Sequence, residues 1–307
     1  MNRYIVFFLP LLMALCLSAC SGEDDLQPSG ADGNYFLPDE AATDAESVLR
    51  RQFYEDNACY LLFNDTLRHE VTGVNTDGTP LYFTELLDLT YQMTSTVSYA
   101  NRYDYLSTIE EKQATADFIE NYLLGHLSES LRPFCWLAVS HITNYSVSDG
   151  VYSYNSEPEF YAGDRGVALA LGALTDMSET EKQQFAADIL ASTMANKVSA
   201  QTSDVLEPFT SISSSLYGTY VPDEDMAWTE EENLQNMYAA GFVTGHYYDI
   251  YLLYNTYPSQ DEDVQSYVRL VLTSTEEEVE SQFADYPTIL RKYSIMRNII
   301  LNLGYQF

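Results

Sequence analysis

The sequence is poor in the residue types that usually build metal and redox centres. Its 307 residues include only four histidines and four cysteines. No two of the histidines, His69, His126, His141 and His246, stand four residues apart. The chain therefore lacks the helical histidine pair that holds zinc in His-Glu-x-x-His sites. It also lacks a Gly-x-Ser-x-Gly nucleophile elbow and a glycine-rich phosphate loop, although a Ser-His-Asp triad assembled by the fold remains open.

Basic residues are scarce as well. Lysine and arginine together number 14, against 46 aspartates and glutamates, and the formal net charge is −32. Such a surface repels nucleic acid and anionic lipid, which excludes both as partners. Solubility at an anionic cell surface accounts for this charge more simply than a specific ligand does.

Long hydrophobic runs are absent except at the start of the chain. Arg3 precedes an apolar run over 4–17, which is shorter than the roughly 20 residues that a spanning helix needs. This pattern predicts a secretory signal over residues 1–19. Leu17-Ser18-Ala19-Cys20 resembles the lipobox of bacterial lipoproteins, which implies that Cys20 is acylated and becomes the first residue of the mature chain.

The residues after Cys20 extend this prediction. Ser21-Gly22-Glu23-Asp24-Asp25 resembles the export tag of Bacteroidetes surface lipoproteins, which implies a lipid anchor in the outer membrane and exposure at the cell surface. We expect residues 20–34 to form an acidic, flexible tether. A plain secreted protein with a chance cysteine is the alternative.

The remaining residues, 35–307, are expected to fold as one helix-rich α+β domain, because no linker rich in proline and glycine divides them. Hydrophobic periodicity and capping residues predict helices from Asp44, from Ser107 to Leu127, over 178–197, from 276 and from Pro287 to Gly304. Apolar runs predict strands over 59–63, 134–142 and 167–171. A turn is expected over 75–80, and the segment 81–89 that follows it is either a strand or a helix. Cys59 and Cys135 are either paired or buried as free thiols.

Tyrosine is abundant, with 26 residues. Tyr247, Tyr251 and Tyr254 recur at helical spacing and would form one stripe. Such a stripe either packs in a core or offers an aromatic platform for a glycan or peptide.

Several segments resemble a Bacteroidetes lipoprotein family of zinc-binding metallopeptidases, which is associated with nutrient-import loci of the SusC/SusD type. The resemblance rests on five segments: Phe36-Leu37-Pro38, Leu49-Arg50-Arg51-Gln52-Phe53, Tyr60 to Thr66, Ala240-Gly241-Phe242-Val243-Thr244, and Pro258 to Asp263 with a helix that continues through Tyr267. It implies a zincin-like fold: a small twisted sheet, a helix with the His-Glu-x-x-His motif and a downstream acidic ligand.

The chain departs from this family at its catalytic positions. On the helix expected over 178–197, Leu190-Ala191-Ser192-Thr193-Met194 takes the place of the zinc motif. Glu262 and Asp263 remain of the acidic motif, but Ser266 replaces another glutamate. We therefore expect no catalytic residue, no metal and no cofactor beyond the lipid on Cys20.

A weaker alternative is a metal site outside the family pattern. His246 and Asp249 stand three residues apart and could share a helix face, near Glu262 or Asp263. Zinc sites usually need three or four protein ligands, so a structural histidine is the simpler interpretation.

Three functional hypotheses follow. The first is an inactive metallopeptidase-like lipoprotein that assists glycan or peptide capture beside a TonB-dependent transporter. The second is a hydrolase that uses an unrecognised carboxylate site such as Glu262 and Asp263. The third is a structural subunit of an uptake complex in the outer membrane.

Overall fold

The computed structural model describes residues 33–90, 98–226, 229–249 and 254–307. Within it, residues 36–307 form one compact unit, and the predicted signal and Cys20 lie outside the described residues. The fold is α+β, as the sequence predicts. None of the described helices is both long enough and apolar enough to cross a membrane.

Helices account for most of the second half of the chain. The α-helices are α1 (Ala45–Asn57), α2 (Ile109–Phe118), α3 (Glu179–Ser199), α4 (Ser203–Thr210), α5 (Glu230–Ala239), α6 (Gln260–Thr273), α7 (Glu276–Gln282) and α8 (Pro287–Leu303). Helix α2 continues directly into a π-helical turn (Ile119–Leu123) and a 3₁₀ turn (Leu124–His126).

Strands form one central sheet and three smaller ones. They are β1 (Tyr60–Leu62), β2 (Thr66–Val74), β3 (Pro80–Leu86), β4 (Tyr99–Asp104), β5 (Cys135–Val139), β6 (His141–Ser148), β7 (Val151–Ser156), β8 (Phe160–Ala162), β9 (Gly166–Ala170), β10 (Tyr247–Asp249) and β11 (Tyr254–Thr256). The central sheet has the order β1-β5-β9-β8, and the others are β2-β3, β4-β6-β7 and β10-β11.

The central sheet is parallel except at one edge. Strands β1, β5 and β9 pair in parallel, and β8 is antiparallel to β9. Every residue of β5 is buried, and so is β9 apart from Ala170. Strands covered on both faces read as continuous apolar runs, which is why the sequence located both of them correctly.

Two cores cover the two faces of this sheet. The larger core packs α2, α3, α6 and α8 against Trp136, Ala138, Val167 and Leu169. The smaller core lies on the other face, around Leu137, Val139 and Ala168. Alternate residues of β5 and β9 thus serve opposite cores.

Four of the described α-helices begin at capping boxes. In α2, α3, α6 and α7 a serine or threonine hydroxyl accepts from the N3 amide, and the N3 glutamate accepts from the cap amide. The box of α3, Ser178 with Glu181, agrees with the sequence. The cap of α2 is Thr108, one residue after the start at Ser107 that the sequence predicts, and the cap of α7 is Thr275.

Two of the four cysteines lie in the described part of the chain. Cys59 and Cys135 are buried free thiols. Burial raises the pKa of Cys59 to about 11 and that of Cys135 to about 12. Both thiols are therefore protonated and unreactive at neutral pH.

Candidate functional site

The helix expected to carry the zinc motif is α3, and its motif positions face the protein interior. Leu190, Ala191 and Met194 are at most 3% exposed, and they belong to the apolar surface of the helix. A zinc ion needs nitrogen, oxygen or sulfur ligands that approach it from several sides. The residues present here do not fit the metal that the family resemblance implies.

The four histidines lie in separate parts of the fold. His69 is in the β2-β3 hairpin, where Nδ1 is 2.8 Å from Thr84 Oγ1. His141 Nε2 lies 3.6 Å from Glu157. Among the described residues, no group of three or more histidine, cysteine, aspartate or glutamate side chains could hold a metal ion.

The prediction that Tyr247 and Tyr254 lie on one helix is wrong. Tyr247 belongs to β10 and Tyr254 to β11, two antiparallel strands, while Tyr251 lies outside the described residues. Asp249 pairs with Tyr254 in the same ladder, so His246 and Asp249 do not share a helix face either. Tyrosine and β-branched residues favour strands, and this preference outweighs the helical spacing.

The two carboxylates of the acidic remnant have different environments. Glu262 is the N3 residue of the α6 capping box and accepts the Ser259 amide at 2.7 Å. Asp263, one position further along the helix, is completely buried. Consecutive helix residues point about 100° apart, so the pair does not face one cleft.

Asp263 belongs to a polar group that we call the buried ion-pair cluster. Lys292 Nζ lies 2.9 and 2.7 Å from the two carboxylate oxygens of Asp263. The same ammonium donates to Ser213 Oγ at 3.1 Å and to the Gly241 carbonyl at 2.9 Å. Tyr217 donates its hydroxyl to Asp263 at 2.8 Å. Each charged group is therefore satisfied by protein partners.

Aromatic rings enclose the ammonium. The Lys292 nitrogen is 4.7 Å from the ring centre of Phe209, 5.0 Å from Phe242 and 4.6 Å from Tyr267. Burial lowers the pKa of Lys292 and raises that of Asp263, and the ion pair opposes both shifts. Because Asp263 is on α6 and Lys292 is on α8, the ion pair joins the two helices. Both side chains are 0% exposed, so the cluster leaves no room for a ligand.

The first part of α3, from Glu179 to Leu190, borders an open cavity, which we call the α3 cleft. Its volume is about 580 Å³, within the range of small-molecule sites. The lining residues come from the π-helical turn, the 3₁₀ turn, α3, α6 and the C-terminal tail: Asn121, Tyr122, His126, Glu179, Gln183, Ala186, Ala187, Leu190, Leu272 and Tyr305.

Hydrogen bonds fix the polar side chains of the cleft. Tyr122 donates its hydroxyl to Glu179 at 2.7 Å, and Gln183 donates its amide to the other oxygen of Glu179 at 3.4 Å. The bond to Glu179 is the main cause of a raised pKa at Tyr122. The carboxylate thus has a defined orientation in the wall of the cleft.

His126 is oriented from two directions. Its Nδ1 lies 2.7 Å from the Gln306 carbonyl, and its ring stacks on Tyr305 with centres 5.6 Å apart. A carbonyl oxygen only accepts, so Nδ1 carries the hydrogen. In the neutral ring, Nε2 is then an acceptor, fixed in position by the bond on the opposite side.

The π-helical turn explains why the sequence did not reveal this cleft. A single helix from Ser107 to Leu127 was expected, but the α-helical part ends at Phe118. The π-turn inserts an extra residue per turn and changes the direction of Tyr122 and the residues after it. Such turns occur frequently at functional sites, but apolar spacing does not report them.

Comparison with known proteins finds no relative of this chain. No family model matches the chain, and neither the curated proteins nor the solved structures include a match.

Proposed function

We propose that the protein is a surface-anchored, catalytically inactive, zincin-like lipoprotein that captures a glycan or a peptide beside a TonB-dependent transporter. One observation carries this proposal: helix α3 has apolar, buried residues at the motif positions, and it borders an open polar cleft that reaches the first of them. Leu190 takes the place of the first zinc-binding histidine and lies in the cleft wall. A binding site beside a lost catalytic centre accounts for both features.

The arrangement of the central elements supports the zincin-like part. A small, mostly parallel sheet is followed directly by a long helix, and this helix packs beside the antiparallel edge strand β8. The family resemblance implies a sheet and a helix in this order. The fold alone does not assign an activity, so the function rests on the site.

The hydrolase hypothesis receives less support from the geometry. It needs two carboxylates that face one cavity, and Glu262 and Asp263 do not. The capture hypothesis needs only a defined, accessible set of polar groups, which the α3 cleft provides.

The membrane anchor is tested by palmitate labelling of the full chain in a bacterium that processes lipoproteins. We expect Cys20→Ala to lose the label and to leave the membrane fraction. Cys16→Ala is the matched control, because Cys16 lies within the predicted signal and its variant should remain labelled. Labelling that persists in Cys20→Ala would contradict the anchor.

The inactive site is tested by metal analysis of the purified protein after incubation with zinc and dialysis. We expect no stoichiometric zinc and no cleavage of casein. Bound zinc at one ion per chain, together with peptidase activity, would overturn the proposal. Stable co-purification with a transporter, without any small ligand, would instead favour a structural subunit.

A further inference from the structure

Building on the proposed capture function, we infer that the ligand of the α3 cleft is a neutral oligosaccharide. The first step is the size of the site. A second cavity of about 610 Å³ shares Gln183 of α3 and Leu272 of α6 with the cleft, so the two cavities adjoin. Together they have more volume than one small metabolite fills, which leaves room for a chain of several sugar rings.

The polar groups of the cleft favour a ligand that both donates and accepts hydrogen bonds. The cleft presents two amides, a phenol, a carboxylate and an imidazole, contributed by Asn121, Gln183, Tyr122, Glu179 and His126. This set mixes donors with acceptors. A sugar hydroxyl both donates and accepts, so it can satisfy Glu179 as a donor and an amide nitrogen as an acceptor. The groups suit a ligand covered with hydroxyls.

The charge of the site favours a neutral ligand. The described residues that line the α3 cleft include no lysine or arginine, and Glu179 contributes a carboxylate. The neighbouring cavity has one arginine, Arg297, against the carboxylates of Glu276 and Glu278. The whole chain carries a formal net charge of −32. An acidic saccharide or a phosphorylated ligand would enter against this potential, with no cation to pair with in the cleft and one arginine outnumbered by carboxylates in the neighbouring cavity. A neutral ligand meets no such barrier.

The elements that line the cleft suit a saccharide better than a peptide. Extended peptides commonly bind by adding a strand to an exposed sheet edge. The cleft is lined by helices, helical turns and the C-terminal tail, and in the described part of the chain no strand borders it. Ala186, Leu190 and Leu272 instead give an apolar floor, against which the C–H face of a sugar ring can lie.

The experiment uses the mature protein made soluble by Cys20→Ala. Neutral oligosaccharides of two to six units from glucans, mannans, xylans and galactans are titrated by calorimetry. Uronic acid oligosaccharides and a tryptic digest of casein form the comparison arms. We expect binding of at least one neutral oligosaccharide and of neither comparison arm.

Two cleft variants locate the binding. His126→Phe keeps the ring that stacks on Tyr305 but removes the Nε2 acceptor, and Glu179→Gln removes the carboxylate charge. Each should weaken binding about tenfold, which corresponds to the loss of roughly one good hydrogen bond. His69→Phe and Glu129→Gln are the matched controls outside the cleft, and they should leave the affinity unchanged.

The outcomes separate this inference from the proposed function. Peptide binding that the cleft variants abolish would overturn the saccharide inference and leave capture intact. Binding of uronic acid oligosaccharides alone would overturn the neutral character of the ligand. Saccharide binding unaffected by both cleft variants would overturn the site, and absence of binding in all arms would contradict both proposals.

Discussion

The buried ion-pair cluster and the α3 cleft are both built from polar side chains on helices, yet they have opposite relations to water. In the cluster, Lys292 and Asp263 are 0% exposed, and protein groups satisfy both charges. In the cleft, Glu179 accepts hydrogen bonds from two side chains and His126 is held by one hydrogen bond and one ring contact, and both residues keep an accessible side. A fully satisfied polar group holds the fold together, and a partly satisfied one at a cavity is available to a ligand.

The largest expected effect comes from breaking the cluster. Asp263→Ala leaves the Lys292 ammonium buried without its counter-charge. We expect the free energy of unfolding to fall by about 3–5 kcal/mol, measured by denaturant titration of the soluble mature chain.

A paired substitution is the control for this prediction. Lys292→Met together with Asp263→Leu removes both charges, and it should recover most of the lost stability because no unpaired charge remains. A loss below about 1 kcal/mol in Asp263→Ala would show that water reaches the ammonium, and the contrast between closed cluster and open cleft would fail.

The sequence revealed the cluster only in part. It singled out Asp263, but as the remnant of a metal ligand, because one acidic residue looks alike in both roles. Its partner Lys292 lies 29 residues away on another helix. Apolar periodicity places α6 and α8 but does not show which polar residues meet between them.

The elements with strong local signals were predicted best. Strands β5 and β9 read as apolar runs, α3 opens with a capping box, and α8 begins at Pro287 and ends before Gly304. Gly304 adopts φ 105°, a conformation that favours glycine, and this explains the stop. The small sheets were largely missed, since many of their residues are exposed and their pairing depends on distant strands.

The second prediction concerns the helix start that positions the cleft. Ser178 accepts the Glu181 amide at 3.3 Å, and Glu179 belongs to the same first turn of α3. Ser178→Ala should lower the free energy of unfolding by about 1 kcal/mol. It should also weaken oligosaccharide binding, because fraying of this turn releases Glu179. Unchanged binding alongside the lost stability would show that Glu179 is held by Tyr122 alone.

The third prediction is the pH dependence of that same helix start. Hydrogen bonds from Ser178 hold the pKa of Glu181 below its ordinary value of 4.5. A lowered pKa in the folded state means that this carboxylate stabilises the protein above pH 4.5 and that the contribution is lost as pH falls through the folded pKa. Glu181→Gln should remove this part of the acid sensitivity in thermal melts between pH 6 and pH 3. An identical pH profile in both proteins would contradict the role of the box.

The smallest effect is expected at the tyrosines of β10. Tyr247 and Tyr248 are 40% and 62% exposed, and they lie in a two-stranded ladder, away from the α3 cleft residues in the sequence. Tyr247→Ala should change the free energy of unfolding by no more than about 0.5 kcal/mol, as is usual for surface positions. It should also leave oligosaccharide affinity unchanged, whereas His126→Phe weakens it. Calorimetry on the two variants side by side decides between the sites: a tenfold loss in Tyr247→Ala, with none in His126→Phe, would move ligand capture to the tyrosine platform and leave the cleft without its function.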